Sequence, residues 1–184
     1  MLADARPTAE RILSAASDEF AEHGLAGARV DRIAARAGAN KERIYAYYGA
    51  KDALFDTVLA ARIAELLDTV PFDADDLPGY AERLFRFTVE RADLTRLLLW
   101  HVLERPTLLG TREPGATSTA AKVTALTAAQ ARRDDLDRTQ PAGRLLGQVL
   151  AVVHGAAFGL LASGTDVEQT AADVRRSVTR IIAP

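Results

Sequence analysis

The stretch VDRIAARAGANKERIYAYYGAK, residues 30–51, reads as a short helix, a glycine turn and a second short helix. Val30, Ile33, Ala34 and Ala37 share one helical face at spacings of three and four. Gly38 follows, where a tight turn needs a residue that tolerates a left-handed backbone. Asn40 offers a side-chain oxygen to cap the next helix, and Ile44 and Tyr48 give that helix an apolar edge. Ala34 is small enough to let the second helix approach, and Ile44 fills the angle between the two. The pattern is a helix-turn-helix, whose second helix has the dimensions to enter the DNA major groove.

Charge singles out the same region. Between residues 27 and 51, Arg29, Arg32, Arg36, Lys41, Arg43 and Lys51 face only Asp31 and Glu42, while the whole chain carries a net charge of −2. A basic patch in an otherwise acidic chain reads either as a localised phosphate-binding surface or as a solvated helix face. Nearly half of the 184 residues are apolar, enough for one compact domain or two small ones sharing a core. With no cysteine there is no disulfide and no thiolate metal site, as expected of a chain working in a reducing cytoplasm. The N-terminus MLADARPTAERIL lacks the uninterrupted apolar run of a cleavable signal.

Helical periodicity runs from end to end, and no segment alternates like a strand, so the chain is expected to be all-α. A first helix is expected over Thr8–His23, with Ile12, Leu13, Ala16 and Phe20 inward and Gly24 ending it. After the helix-turn-helix, a long helix from Lys51 to Val70 carries Leu54, Phe55, Val58, Leu59, Ile63, Leu66 and Leu67 as its apolar stripe, and Pro71 stops it. Further helices are expected over residues 79–91, 93–104, 117–133, 141–162 and 166–182, with a Pro/Gly-rich loop over 106–115. Thr165 and Glu168 have the spacing of a capping box for the last helix. The functional division that follows is a helix-turn-helix domain over residues 1–50 and a helical effector-binding and dimerisation domain over 51–184.

The segment LLGQVLAVVHGAAFGLLA, residues 145–162, has only Gln148 and His154 as polar side chains. Its length is that of a marginal membrane span. Three glycines, two polar groups and no flanking aromatic belt favour a packed helix instead, and no membrane association is expected. Gly147, Ala151, Gly155 and Gly159 recur every four residues as a smooth ridge that lets another backbone come close. Val174 and Val178 continue an apolar repeat on the last helix, so two helices from each of two subunits fit a four-helix dimer interface. The alternative is that these positions form the chain's own core.

With motif and layout in hand, the chain resembles the tetracycline-repressor (TetR) family of transcriptional regulators. The resemblance covers residues 8–59 and rests on ILSAASDEFAEHG, ending at Gly24, and on VDRIAARAGANKERIYAYYGAKDALF. The aromatic run before a Lys-acid-apolar-apolar-Phe helix start is its most specific element. It implies a homodimeric, all-helical, cytoplasmic repressor whose N-terminal three helices bind double-stranded DNA at a pseudo-palindromic operator. Its C-terminal helices would dimerise and hold a small apolar effector that releases the DNA.

The resemblance places a recognition helix on residues 40–47, with phosphate contacts at Tyr45 and Lys51 and DNA-facing positions at Tyr47 and Lys41. Arg43 is the expected base reader, because a guanidinium binds guanine bidentately in the major groove. Asn40 is either a cap or a reader of adenine. Tyr48 shares a face with Ile44 and is assigned to the core, leaving Tyr45 and Tyr47 exposed. Three positions depart from the family pattern. Glu42 stands where a small residue is common, Arg29 replaces a capping Ser or Thr and gains a candidate phosphate contact, and Ala50 replaces the cap before the long helix.

Phe85, Trp100, His101, His154 and Phe158 are candidate effector contacts, as apolar walls with a few polar anchors, or else core residues. His23, His101 and His154 have no metal-ligand spacing, and no cofactor is expected. No nucleophile elbow, phosphate loop or His–carboxylate motif points to an enzyme. A helical protein-binding scaffold and a regulator that needs no ligand are the competing readings.

Overall fold

A computed structural model describes residues 7–105, 115–164 and 166–184, and among these every regular element is a helix. They are α1 (Thr8–Gly27), α2 (Val30–Ala37), α3 (Lys41–Tyr48), α4 (Lys51–Thr69), α5 (Leu77–Glu90), α6 (Ala92–Glu104), α7 (Gly115–Arg132), α8 (Ala142–Ser163) and α9 (Val167–Ile182).

Two compact units form. The first takes the described residues up to Ala64 together with 92–105, so α6 joins α1, α2, α3 and most of α4. Its core holds Ile12, Ala16, Phe20, Ile33, Ile44, Leu54, Phe55 and Leu97, all essentially inaccessible to solvent. Phe20 meets Phe55 edge-on with ring centroids 5.1 Å apart, the geometry that aromatic quadrupoles favour. The second unit takes residues 65–91 and those described after 114. There α5 packs on α8 and α9, α8 packs on α9, and α7 packs on α8. These compact units and a functional boundary at residue 50 are different divisions of the chain.

The helix ends show where local sequence decides and where distant residues do. Gly24 does break the first helix, with φ 68° and ψ −178°, but one more turn follows it, so α1 runs on to Gly27 instead of stopping at His23. Asp76, whose side chain accepts from the Gly79 N–H at 2.9 Å, starts α5 at Leu77, two residues ahead of expectation. Asp166 caps α9 by accepting from the Glu168 N–H at 2.8 Å, while Thr165 of the expected capping box lies outside the described residues, as do residues 106–114 of the expected loop.

In the second unit, α5 is tied to α9 by Arg86 with Glu168 (2.5 and 2.8 Å) and by Arg175 with Glu82 (3.2 Å). The last helices correct one expectation. Val174 and Val178 are buried inside the protomer, because α9 turns that face to α5 and α8, so they are core residues and not free for a partner. On α8, Leu145, Leu146, Val149, Val153, Ala157 and Leu160 are likewise buried, whereas Gly147, Ala151, Gly155 and Gly159 are exposed. A Cβ added at any of those three glycines meets nothing within 4 Å. By length and composition, residues Ala142–Leu160 are apolar enough to cross a membrane, with a mean hydropathy of 1.3.

Candidate nucleic-acid interface

The turn between α2 and α3 is a Schellman motif. Gly38 has φ 58° and ψ 40°, its N–H bonds the Ala35 carbonyl at 3.3 Å, and the Ala39 N–H bonds the Ala34 carbonyl at 3.0 Å. Asn40 then caps α3, its Oδ1 accepting from the Arg43 N–H at 2.9 Å. Ile44 fills the inter-helix angle at 1% exposure. Tyr48 is anchored to α1, its hydroxyl donating to the Ala9 carbonyl at 2.9 Å. With those two residues held inward, Lys41, Glu42, Arg43, Tyr45 and Tyr47 all lie exposed on α3.

The basic patch is less free than its count of charges implies. Arg32 pairs with Glu19 at 2.5 Å, Lys41 with Asp31 at 2.6 Å, and Arg36 with Asp18 at 3.6 Å. Lys51 directs its ammonium to the Ala28 carbonyl at 3.1 Å and the Ala26 carbonyl at 3.4 Å, so it closes the end of α1 as well as starting α4. Arg29 and Arg43 are exposed and have no acidic partner among the described residues. Glu42 does not pair with Arg43; adjacent residues on a helix do not face each other.

Glu19 was not among the expected site residues, yet it sets the entry to α2. Arg29 precedes that helix and makes no side-chain cap, and Glu19 reaches across to accept from the Arg29 N–H at 2.9 Å and from Arg32 Nε at 2.7 Å. Arg32 also donates to the Gly27 carbonyl at 3.0 Å. Burial pushes the Glu19 carboxyl up, the bonds from Arg32 and Arg29 pull it down, and the balance lies below the ordinary glutamate value. The available sequence signal is an acid on the apolar stripe of α1, one position from Phe20 and a turn from Ala15 and Ala16.

α6 supports the same corner. Glu104 accepts from the Leu25 N–H at 2.8 Å and the Ala26 N–H at 3.1 Å, satisfying the turn that follows the Gly24 break. Trp100 donates from Nε1 to the Ala21 carbonyl at 3.3 Å. Arg105 bonds Asp52 at 2.8 Å and pairs with Asp56, with its guanidinium 5.2 Å from the Phe55 ring centroid. His101 stacks on Phe55, centroids 6.3 Å apart.

The five candidate effector residues are divided between the two units. Trp100 and His101 are packed into the first unit, Phe85 is completely buried in the core of the second, and His154 and Phe158 lie exposed on α8. The groove found in the second unit is lined by other residues.

Comparison with known proteins agrees with this arrangement. Residues 12–58 match the family of bacterial regulatory proteins, tetR family, and residues 76–183 match the tetracyclin repressor-like C-terminal domain. The chain is 50% identical over 101 residues to the HTH-type transcriptional repressor SCO4008 of Streptomyces coelicolor, a match covering 55% of this chain and 53% of that protein. It is 40% identical over 52 residues to the HTH-type transcriptional repressor NicS of Pseudomonas putida, covering 28% and 24% of the two chains. The chain thus matches about half and about a quarter of these two relatives' lengths. Among solved structures, the regulator SCO4942 of Streptomyces coelicolor aligns over 97% of this chain and 100% of its own, with TM-score 0.84 and 33% identity. A TetR family regulator from Marinobacter aquaeolei shares the fold at TM-score 0.76 and 20% identity, covering 96% and 95%.

Proposed function

This chain belongs to the TetR family of bacterial transcriptional regulators, and from that premise we propose that it is a dimeric, cytoplasmic repressor released from its operator by a small-molecule effector. The observation that carries the DNA-binding part is the division of α3. Ile44 and Tyr48 hold the helix, while Arg43, Tyr45 and Tyr47 stand exposed on it. Tyr45 and Lys51 contact phosphate, Arg43 reads a base edge, and Arg29, Lys41 and Tyr47 add contacts around them. Asn40 is committed to its cap. Lys51 gives up its carbonyl partners, or shares them, when phosphate arrives.

A homodimer presents two such helices about 34–36 Å apart, one DNA turn, to a pseudo-palindrome. The exposed small-residue ridge of α8 supports dimerisation: Gly147, Ala151, Gly155 and Gly159 present nothing larger than a methyl group to a second backbone. The effector acts by binding one DNA-incompetent conformation better than the competent one.

Selection of bound DNA from a random pool tests this reading. The expected product is an inverted repeat whose affinity falls steeply with salt, because phosphate contacts release counterions. Recovery of no preferred sequence, with binding that ignores salt, overturns it in favour of a protein-binding scaffold.

A further inference from the structure

The second unit contains an open groove of about 530 Å³, lined by Leu67 at the end of α4, by Phe72, and by Ser118, Ala121, Lys122 and Ala125 on α7. The volume lies within the range of sites for small organic ligands, roughly 300–1,000 Å³. Phe72 is fixed by edge-on packing on Tyr80, with ring centroids 4.9 Å apart. The walls are apolar apart from hydroxyl groups in the first turn of α7 and the Lys122 ammonium.

Among the described cations of this unit, Arg144 and Arg180 are exposed without a carboxylate partner, whereas Lys122 lacks one while half-buried. The arginines that do pair with carboxylates include Arg86, Arg91, Arg132, Arg133, Arg138 and Arg175. Lys122 is half-buried, its Nζ lies 5.7 Å from the Tyr80 ring centroid, and it has no carboxylate partner among the described residues. Burial holds its pKa below the ordinary lysine value. A cation kept at an apolar wall with only a ring face for company is complementary to an anion carrying an apolar body. The Ser118 hydroxyl, in the first turn of α7, lines the same groove.

We propose that this groove binds a small apolar carboxylic acid, its carboxylate paired with Lys122 and its hydrocarbon body lying along Leu67, Phe72, Ala121 and Ala125. The inference rests on the effector-released regulator above and gives that effector's chemical class. A neutral apolar molecule leaves Lys122 uncompensated, and an amine of the same length places like charges together.

The test uses three eight-carbon probes, octanoate, octanol and octylamine, titrated calorimetrically into the full chain. Octanoate is expected to bind at least tenfold more tightly than octanol, with octylamine weakest. Lys122→Met, which keeps the volume of the side chain, is expected to bring octanoate down to the octanol level while octanol binding persists. Ala121→Trp, at an exposed position, is expected to block both. Octylamine binding as well as octanoate, an unchanged octanoate affinity in Lys122→Met, or no binding of octanoate by the wild-type chain each overturns the proposal. Operator release is read separately by DNA-binding assay. Octanoate that binds through Lys122 without releasing DNA overturns the effector reading and leaves the groove's ligand class standing.

Discussion

At the scale of single residues, the helix-turn-helix depends on an acid outside it. Glu19 is 1% exposed and joins α1 to the first turn of α2 through Arg29 and Arg32. Removing a buried, charge-assisted acceptor costs about 1–3 kcal/mol, so Glu19→Ala should lower unfolding stability by that amount in denaturant titration. The pH dependence has a definite sign. Because its folded-state pKa is depressed, the Glu19 contribution is fully present above the ordinary glutamate value and is lost as pH falls through the lower folded value. Melting curves from pH 7 to pH 3 should therefore show a shallower acid limb in Glu19→Gln than in the wild type; parallel curves would assign the acid sensitivity elsewhere. The residues proposed to face DNA divide differently. Arg43→Ala should cost about 1–3 kcal/mol of operator affinity and relax base preference at one position per half-site. Tyr45→Phe should weaken all sequences alike. Lys51→Ala should reduce the salt slope by about 1 and also lower stability, since Lys51 bonds the carbonyls of Ala26 and Ala28. Equal shifts in affinity and preference for all three would refute this division. The sequence pattern identified Ile44, Tyr48, Gly38 and the Asn40 cap because each follows from local spacing or backbone chirality. Glu19 and the Lys51 carbonyl bonds join residues 10 and 23–25 apart in sequence, and spacing within one helix carries no information about them.

At the scale of elements, two glycines with nearly the same φ stand in opposite surroundings. Gly38, φ 58°, is open: a Cβ there meets nothing within 4 Å. Gly24, φ 68°, is walled in, and a Cβ would stand 2.6 Å from Glu104 Oε1 and 2.8 Å from the Trp100 ring. Gly38→Ala should pay only the left-handed backbone penalty, about 1–2 kcal/mol. Gly24→Ala adds a ψ of −178°, a combination that glycine alone adopts readily, and displaces two side chains of α6, so it should cost about 3 kcal/mol or more. Chemical denaturation of the two variants measures the difference, and equal losses would mean that α6 yields without cost. The two cases explain which boundaries were readable. α2 and α3 stop and start on their own residues: the Gly38 turn and the Asn40 cap fall where expected, and α3 runs Lys41–Tyr48, one residue on from the expected recognition helix. α1 is shaped by Gly24 but continued by Glu104, which lies 78–79 residues further on, so its last turn was not visible from local signals. Asp76 before Leu77-Pro78 is a cap of the local kind, and it sets the start of α5 two residues ahead of the expected residue 79.

For the whole molecule, the question is which apolar positions belong to the protomer and which are left for a second copy. Helical periodicity marks Ala151, Gly155, Val174 and Val178 alike as one side of a small-residue or apolar stripe, since it reports a face and not what the face meets. Packing separates them: Val174 and Val178 are inside the unit formed with α5 and α8, while Gly147, Ala151, Gly155, Phe158 and Gly159 are exposed on α8. If that face is the dimer seam, two substitutions should fail in opposite ways. Ala151→Arg places a charge and a long side chain on the seam without touching the protomer's core. It should sediment at monomer mass and lose more than tenfold in operator affinity, because a monomer engages a single half-site. Val178→Ala deletes two buried methyl groups, a loss of about 2 kcal/mol in stability, and should still sediment as a dimer. Stability must be compared at fixed chain concentration, since association itself stabilises the folded form. An Ala151→Arg chain that stays dimeric would place the seam on another surface, and a Val178→Ala chain that dissociates would mean that the core of α9 also shapes it. The exchange of those two phenotypes is what distinguishes a ridge left open for a partner from one that is merely solvent-exposed.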